Sequence, residues 1–435
     1  MKFSADRLAQ SLEAELGAGT VTGELGSLAA YNVDGKTPAL LCFPSNAEQI
    51  AAALRICSEG DAIVTPWGGG TAMGIGNLPP QVDILIGLER LNLLVEHDQA
   101  NLTATIQSGY RLAALQEILA RQNQFLPFDP PAKPRATVGG VVATNLNGPR
   151  RSYYGGVRDL VIGMKVVLVS GEQIKAGGKV VKNVAGYDMC KLFVGSLATL
   201  GIITEITVRM APIPETTASL IATGTLPEVL QLTSELSRSK LLPSAVFLLS
   251  PEASKAEETG QNHWRVAVWC EGFEDSVARH LQDSEDMATR IGLGTQILQA
   301  TDHSEFWNGV GDFPLQPDRL VYRLTVPRAS AAAVIQTIHS WSAAGFRTQM
   351  VSDVAMGIVW ISTGANAEAV QWFTKLSAEA REHRGHAMML GAPPDLKRGV
   401  DVWGPAPVTL SLMRAIKHQF DPKNLLNPGR FVGGI

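Results

Sequence analysis

No stretch of this 435-residue chain stays apolar for the roughly 18 residues that a membrane-spanning helix needs. The N-terminal MKFSADRLAQSLEAELG alternates charge with apolar residues and has no hydrophobic core of a signal peptide. A surplus of basic charge is missing too. Thirty-seven Lys and Arg against 41 Asp and Glu leave a net charge of −4, so no nucleic-acid or anionic-membrane partner is expected. Cysteine is scarce: Cys42, Cys57, Cys190 and Cys270 stand singly, with no C-x-x-C pair. That speaks against an iron–sulfur cluster or a structural zinc in this chain. Scattered cysteines suit a reducing, cytoplasmic compartment, where they pack as small hydrophobes.

Glycine, by contrast, is concentrated. PWGGGTAMGIGN, Pro66 to Asn77, puts five glycines into nine residues, Gly68 to Gly76. It is not a Walker A loop, because Ile75 stands where the lysine should follow Gly69 to Gly74. It is not a Rossmann fingerprint, because Gly68 and Gly70 are followed by Met73 at the third glycine position. Two readings remain, a structural turn or a backbone nest for phosphate. A triple glycine followed by Thr71 favours the nest, because each glycine costs about 0.5–1 kcal/mol of chain entropy that a plain turn would avoid.

At this length more than one domain is expected. FPSNAEQIAAALRICSEG reads as a helix with a Ser45/Glu48 capping box and Ile50, Leu54 and Cys57 on one face. AIVTP is a strand that feeds the glycine loop, and Val82–Leu88 is the next buried strand. This βαβ-like order puts the loop at a strand end, where α/β folds bind ligands. NLTATIQSG reads as a strand, and RLAALQEILARQN as a helix through Leu112, Leu115 and Leu119. The Pro/Gly-rich FLPFDPPAKPRATVGGVVATNLNG reads as irregular chain. GIITEITVRMAP alternates as a strand and PIPE closes the first domain at 214, whose two lobes divide near 96. Residues 215–404 show an α+β texture, with strands VAVWCEGF, LVYRLTVP and MGIVWIST. VTLSLMRAIKHQF reads as a helix through Leu410, Met413, Ile416 and Phe420, inside a C-terminal segment 405–435.

Four segments together resemble one family: the glycine loop, PFDPPAKPRATVGGVVATNLNGPRRSYYGGVRDLVIG, KVVKNVAGYDMCKLFVGSLATLGIITEITVRMAP and FDPKNLLNPGRF. The chain resembles the FAD-binding proteins of the vanillyl-alcohol oxidase type, and among them the FAD-binding glycolate oxidase subunits and D-2-hydroxyacid dehydrogenases. The resemblance implies an α+β fold with a two-lobed FAD-binding domain, an α+β cap over 215–404, and a tail that returns to the FAD domain. It also implies that Gly68, Gly69, Gly70 and Thr71 meet the diphosphate, with Gly74 and Gly76 shaping the return. Thr137, Gly139 and Gly140 would approach from the other side, and Thr144, Asn145 and Gly148 would line the pocket. Gly201, Ile202 and Ile203 would offer backbone contacts. Tyr154, Gly155 and Asn427 would lie near the flavin ring. Relatives often carry arginine at Trp67 and glycine at Ala198. No histidine lies between Pro66 and Asn77, so the FAD is expected to be non-covalent.

Oxidising a 2-hydroxyacid needs a cation for the carboxylate and a base or metal for the hydroxyl. Lys182, Tyr187 and Arg323 are the catalytic candidates, with Arg328 a similar arginine; Arg150, Arg151 and Arg158 read as a solvated or pairing surface. The G-D-G-N-x-H metal segment of related dehydrogenases is missing, and His383-x-x-His386 reads as a solvated pair, so no metal is expected. The implied activity is FAD-dependent oxidation of a small 2-hydroxyacid such as glycolate or D-lactate. The implied partners are a sister flavoprotein and an iron–sulfur subunit or a quinone, with peripheral attachment to a membrane through them. The alternatives are an electron-relaying FAD subunit, or a flavoenzyme of the same fold acting on a sugar or alcohol.

Overall fold

The structure is a computed structural model and describes residues 4–178, 187–253, 263–316, 319–366 and 368–435. Two compact units emerge. The first comprises Met1–Asn147, Gly156–Pro212 and Lys397–Ile435; the second comprises Gly148–Gly155 and Ile213–Leu396. The tail therefore joins the first unit from Lys397, not from 405, because the Lys397 side chain is buried against Asp34. The segment Gly148–Gly155, expected within the FAD domain, belongs to the second unit. There Ser152 Oγ donates to Ser244 O, and Arg150 pairs with Glu271 at 3.3 Å.

Among the described residues the first unit has three sheets, the smallest a pairing of Gln124–Phe125 with Ala211–Pro212. One runs in the order Val21–Thr22, Leu40–Cys42, Ile84–Gly87, Val64–Trp67. The last three strands are parallel. Their side chains are almost wholly apolar up to Trp67, because a parallel sheet is covered on both faces. The helix Ala47–Glu59 covers it with Ile50, Leu54 and Cys57 buried. Its N-cap is Asn46, not Ser45. Asn46 Oδ1 accepts from Gln49 N–H at 2.8 Å, and Gln49 Oε1 accepts from Ser45 N–H at 2.7 Å. The capping logic holds, shifted one residue along the chain, since Asn serves an N-cap as well as Ser does.

The second sheet is antiparallel, in the order Leu94–Asp98, Thr103–Gln107, Ile202–Arg209, Val161–Val167, Gln173–Gly177. The helix Leu112–Ala120 buries Leu112, Leu115 and Leu119 as its spacing predicts. Each such leucine stabilises the fold by about 1.5–3 kcal/mol. The segment expected to be irregular contains a helix, Val138–Thr144. Its glycines and β-branched residues are poor helix formers, and close packing overrides that preference. Gly139 N–H donates to Ser108 O at 2.7 Å, and a Cβ on Gly139 would strike the Ser108 backbone.

The C-terminal helix Leu410–Phe420 also departs from its pattern. Met413 and Ile416 are only half-buried, and Lys417 is the one residue that sinks into the unit. Its Nζ donates to Thr199 O, Leu426 O and Asp421 at 2.6–2.9 Å.

In the second unit eight antiparallel strands form one sheet among the described residues. The order is Gly294–Gln299, Thr216–Gly224, Trp264–Gly272, Ala245–Leu249, Gln349–Asp353, Ile358–Gly364, Arg319–Thr325, His386–Gly391. The helices Leu226–Arg238, Glu274–Ile291, Ala331–Ser340 and Ala369–Glu382 each bury one apolar stripe.

Candidate functional site

The strand Val64–Trp67 leads straight into the glycine loop. Gly70 and Gly76 sit at φ +67 and +93, a region that favours glycine. A Cβ on Gly69 would collide with Arg135 O, and one on Gly68 with Thr137 Oγ1. The loop backbone thus lies flat on the segment 135–137. A Cβ on Gly70 would meet the Trp67 ring, which also packs edge-on to Tyr31 at 5.1 Å between centroids. So Trp67 fills space beneath the loop. The amides of Gly68 to Thr71 donate no hydrogen bond among the described residues.

Facing the loop is the start of the helix Val138–Thr144. Thr137 Oγ1 accepts from Gly140 N–H at 3.2 Å. Gly139 is wedged against Ser108, whereas Gly140 is open toward the cavity and meets only Thr137 Oγ1.

The third wall comes from the tail. Val64 N–H donates to Leu425 O at 2.8 Å, and Asn427 N–H donates to Val64 O at 2.9 Å. The tail therefore pairs with the strand that delivers the loop. Asn427 Nδ2 donates to Leu197 O at 2.7 Å, while its Oδ1 is buried without a partner among the described residues. Leu197 and Ala198, both at positive φ, form the adjoining wall.

These walls line a cleft that holds about 890 Å³ of space, part of it open to solvent. Of the cofactor-binding candidates, Gly68, Gly69, Gly70, Thr71, Gly139, Gly140, Thr144, Ile202, Ile203 and Asn427 line it. Gly74, Gly76, Thr137, Asn145 and Gly201 do not reach the wall. Gly74 and Gly76 turn their carbonyls to Lys397, and Thr137 caps a helix. Gly201 packs on the strand Val161–Val167, where a Cβ would meet Val166. Asn145, at φ +52, ends the Val138–Thr144 helix. Gly148, Tyr154 and Gly155 lie in the second unit, where Tyr154 packs beside Arg150.

Sequence reasoning missed Asp34, Lys397 and Arg430. Lys397 Nζ and Arg430 Nη1 each bond Asp34 at 2.9 Å, and all three side chains are buried. Arg430 Nη2 donates to Met73 O and Ile75 O, and Lys397 Nζ to Gly74 O. Burial pulls the Lys397 and Arg430 pKa values below their ordinary range, and Asp34 opposes that shift. No local motif could have flagged them, since their partners lie hundreds of residues away.

Of the catalytic candidates, Lys182 lies outside the described residues. Tyr187 is 93% exposed. Arg323 is half-buried in its strand. It sits between Trp360 and Met388 of the neighbouring strands, and its Nε is buried without a partner among the described residues. Burial, reinforced by Arg151, lowers its pKa to about 10. His383 bonds Glu379, and among the described residues no three His, Cys, Asp or Glu side chains cluster to hold a metal. The four cysteines are buried and free.

The cavity fits a flavin dinucleotide. Among the described residues its walls hold free amides, an orphaned amide oxygen and apolar surface, with no carboxylate, and Arg430 as the charged side chain. Fold and site define a flavoprotein oxidoreductase of the two-lobed, vanillyl-alcohol-oxidase type. Residues 38–177 match the family described as FAD binding domain, and residues 405–431 match FAD linked oxidases, C-terminal domain. The chain thus carries an FAD binding domain and a C-terminal segment of the FAD linked oxidase kind, and FAD is its cofactor.

The chain is similar to the glycolate oxidase subunit GlcD of Bacillus subtilis (strain 168), 29% identical over 90% of this chain and 88% of that protein. It is similar to D-lactate dehydrogenase of Anaerostipes hadrus, 28% identical over 90% and 89%. It is likewise similar to the glycolate oxidase subunit GlcE of Escherichia coli (strain K12), 29% identical over 79% and 85%. Among solved structures, 4-ethylphenol oxidase from Gulosibacter chungangensis superposes with TM-score 0.75 at 16% identity, covering 98% of this chain and 97% of that one. That likeness is one of fold.

Proposed function

We propose that this chain oxidises a small 2-hydroxyacid, glycolate or D-lactate, using non-covalent FAD. FAD held in this cleft would supply the hydride acceptor that oxidation of a hydroxyacid requires. The chain's residues do the rest. The free amides of Gly68 to Thr71 hold the diphosphate, as a backbone nest does without a lysine. Gly140 and Thr144 form the opposite wall, and Asn427 Oδ1 accepts a hydrogen bond from the cofactor. Ile202, Ile203, Leu197 and Ala198 give the ring an apolar seat.

The observation that carries the substrate class is Arg323. A guanidinium held in a sheet with its Nε unpaired is the partner a carboxylate needs. Similarity over about 90% of the chain to proteins named for glycolate and D-lactate supports the same reading. The second unit is then the substrate domain.

The similarity to GlcE supports a division of labour, in which a sister flavoprotein and an iron–sulfur subunit complete the enzyme and carry electrons away. Among the described residues no helix is long and apolar enough to cross a membrane.

Stopped-flow reduction of the purified yellow protein without oxygen tests both parts. Glycolate or D-lactate is expected to bleach the flavin slowly in the isolated chain and rapidly in the complex, and Arg323→Met is expected to abolish saturation by the acid. Bleaching by sugars or phenols, with no response to either acid, rejects the substrate class. Rapid bleaching of the isolated chain makes it self-sufficient.

A further inference from the structure

We propose that the buried Asp34–Lys397–Arg430 triad supplies the positive charge for the FAD diphosphate that the glycine loop itself lacks. The inference rests on the FAD reading of the cavity.

The loop has Ile75 where a Walker lysine would stand, so it offers amide dipoles and no cation. The cations come from behind. Lys397 is 2% exposed and Arg430 3% exposed. Between them lies one carboxylate, Asp34, bonded to both at 2.9 Å. Two cations and one anion leave a surplus of one positive charge in the protein interior. Asp401, close by in the chain, does not cancel it by bonding. Its oxygens accept from Asn77 Nδ2, Trp403 N–H and Gly433 N–H.

A buried uncompensated cation is unfavourable, and an anion brought to the same place offsets that cost. The geometry names that place. Arg430 and Lys397 hold the carbonyls of Met73, Gly74, Ile75 and Gly76, four consecutive residues of the loop. Arg430 also lines the cavity. The surplus charge therefore sits against the returning limb of the same loop, with Arg430 in the cavity wall that the free amides of Gly68 to Thr71 also line. With walls of low polarity, a diphosphate feels it more strongly than it would feel a solvated lysine. Carbonyls turned to the cations also fix the returning limb of the loop, so the same contacts that store the charge hold the nest in shape.

The experiment measures binding to the flavin-free protein by calorimetry, with FAD, with ADP as the diphosphate alone, and with riboflavin as the ring alone. Lys397→Met removes the surplus and leaves a balanced Asp34–Arg430 pair. It is expected to weaken FAD and ADP at least tenfold, leave riboflavin unchanged, and hold or raise the melting temperature of the flavin-free protein. Lys397→Gln, which keeps a donor for Asp34 and the Gly74 carbonyl, is the second charge-removing variant should the first fail to fold. Lys397→Arg is expected to restore ADP binding. ADP affinity within twofold of wild type in a folded charge-removing variant overturns the proposal, as does a loss shared equally by riboflavin. Failure of the wild-type protein to bind FAD or ADP at all rejects the FAD reading instead.

Discussion

Asn427 and Leu197 are joined by a 2.7 Å hydrogen bond from Asn427 Nδ2 to the Leu197 carbonyl, and the bond leaves Asn427 Oδ1 buried with no partner among the described residues. The side chain is oriented by one atom and made available by the other. A buried acceptor without a donor costs about 1–3 kcal/mol, so the arrangement makes sense when a ligand supplies the donor. The same residue ties the tail to the strand that carries the glycine loop, through its backbone bond to Val64.

Removing Asp421–Ile435 is expected to abolish flavin retention although every glycine of the loop remains. The deletion takes away Asn427, Arg430 and the Leu425–Asn427 pairing with Val64. It also strips Lys417 of Asp421, leaving a buried ammonium without its carboxylate. Breaking such a pair costs about 3–5 kcal/mol. Flavin absorbance per mole of purified protein checks this, and full flavin content would show that the tail does not build the site.

Gly139 and Gly140 are adjacent and are expected to fail differently. Gly140→Asp introduces a carboxylate at the open cavity wall, where only Thr137 Oγ1 comes near. The protein should fold, keep its melting temperature within a few degrees when flavin-free, and lose FAD. Gly139→Ala forces a Cβ into the Ser108 backbone and should cost stability first. Thermal unfolding and flavin content of both variants separate the two roles; normal flavin content in Gly140→Asp would make Gly140 a packing residue alone.

The parts of this molecule legible in sequence are those whose cause is local. The strand before the glycine loop, the Leu112–Leu119 helix and the α+β change after 214 all follow from periodicity and turn residues. Where distant packing decides, sequence misleads. The Val138–Thr144 helix forms because Gly139 docks on Ser108, which no propensity records. Lys417 lies buried because Thr199, Asp421 and Leu426 converge on it from separate stretches. The Asp34–Lys397–Arg430 triad has no sequence spacing at all. Four ordered motifs carried the family assignment; charge behind the loop was visible only in three dimensions.

Ala198 sits at φ +55 in the cavity wall, a conformation that a Cβ makes unfavourable by about 1 kcal/mol. Ala198→Gly should therefore stabilise the first unit by roughly that amount, less the added entropy of the unfolded chain. It should also widen the approach to the flavin. Denaturant unfolding and sulfite or substrate access to the flavin measure the two effects. A variant that is less stable than wild type would show that the Ala198 side chain contributes more by packing than its backbone costs.

His303 makes the stability of the second unit depend on pH. It is 2% exposed, its Nδ1 lies 3.0 Å from Ser219 Oγ and its Nε2 lies 3.2 Å from Thr217 Oγ1. Both hydroxyls also accept indole N–H groups, from Trp307 and Trp269, each at 2.8 Å. Burial, with Arg150 nearby, lowers the His303 pKa to about 4. The folded unit therefore keeps the ring neutral where the unfolded chain protonates it. Stability is full above pH 6.5 and is lost as pH falls toward 4, because the unfolded state binds the extra proton in that window. The loss between pH 7.5 and pH 5 amounts to roughly 2 kcal/mol, since one pKa unit corresponds to about 1.4 kcal/mol. His303→Gln cannot titrate and should flatten that part of the profile while being less stable at pH 7.5. The Trp269 ring stands edge-on to His303 at 4.8 Å between centroids, so tryptophan fluorescence in urea at the two pH values follows this region directly. Equal losses in wild type and variant would place the acid sensitivity elsewhere in the chain.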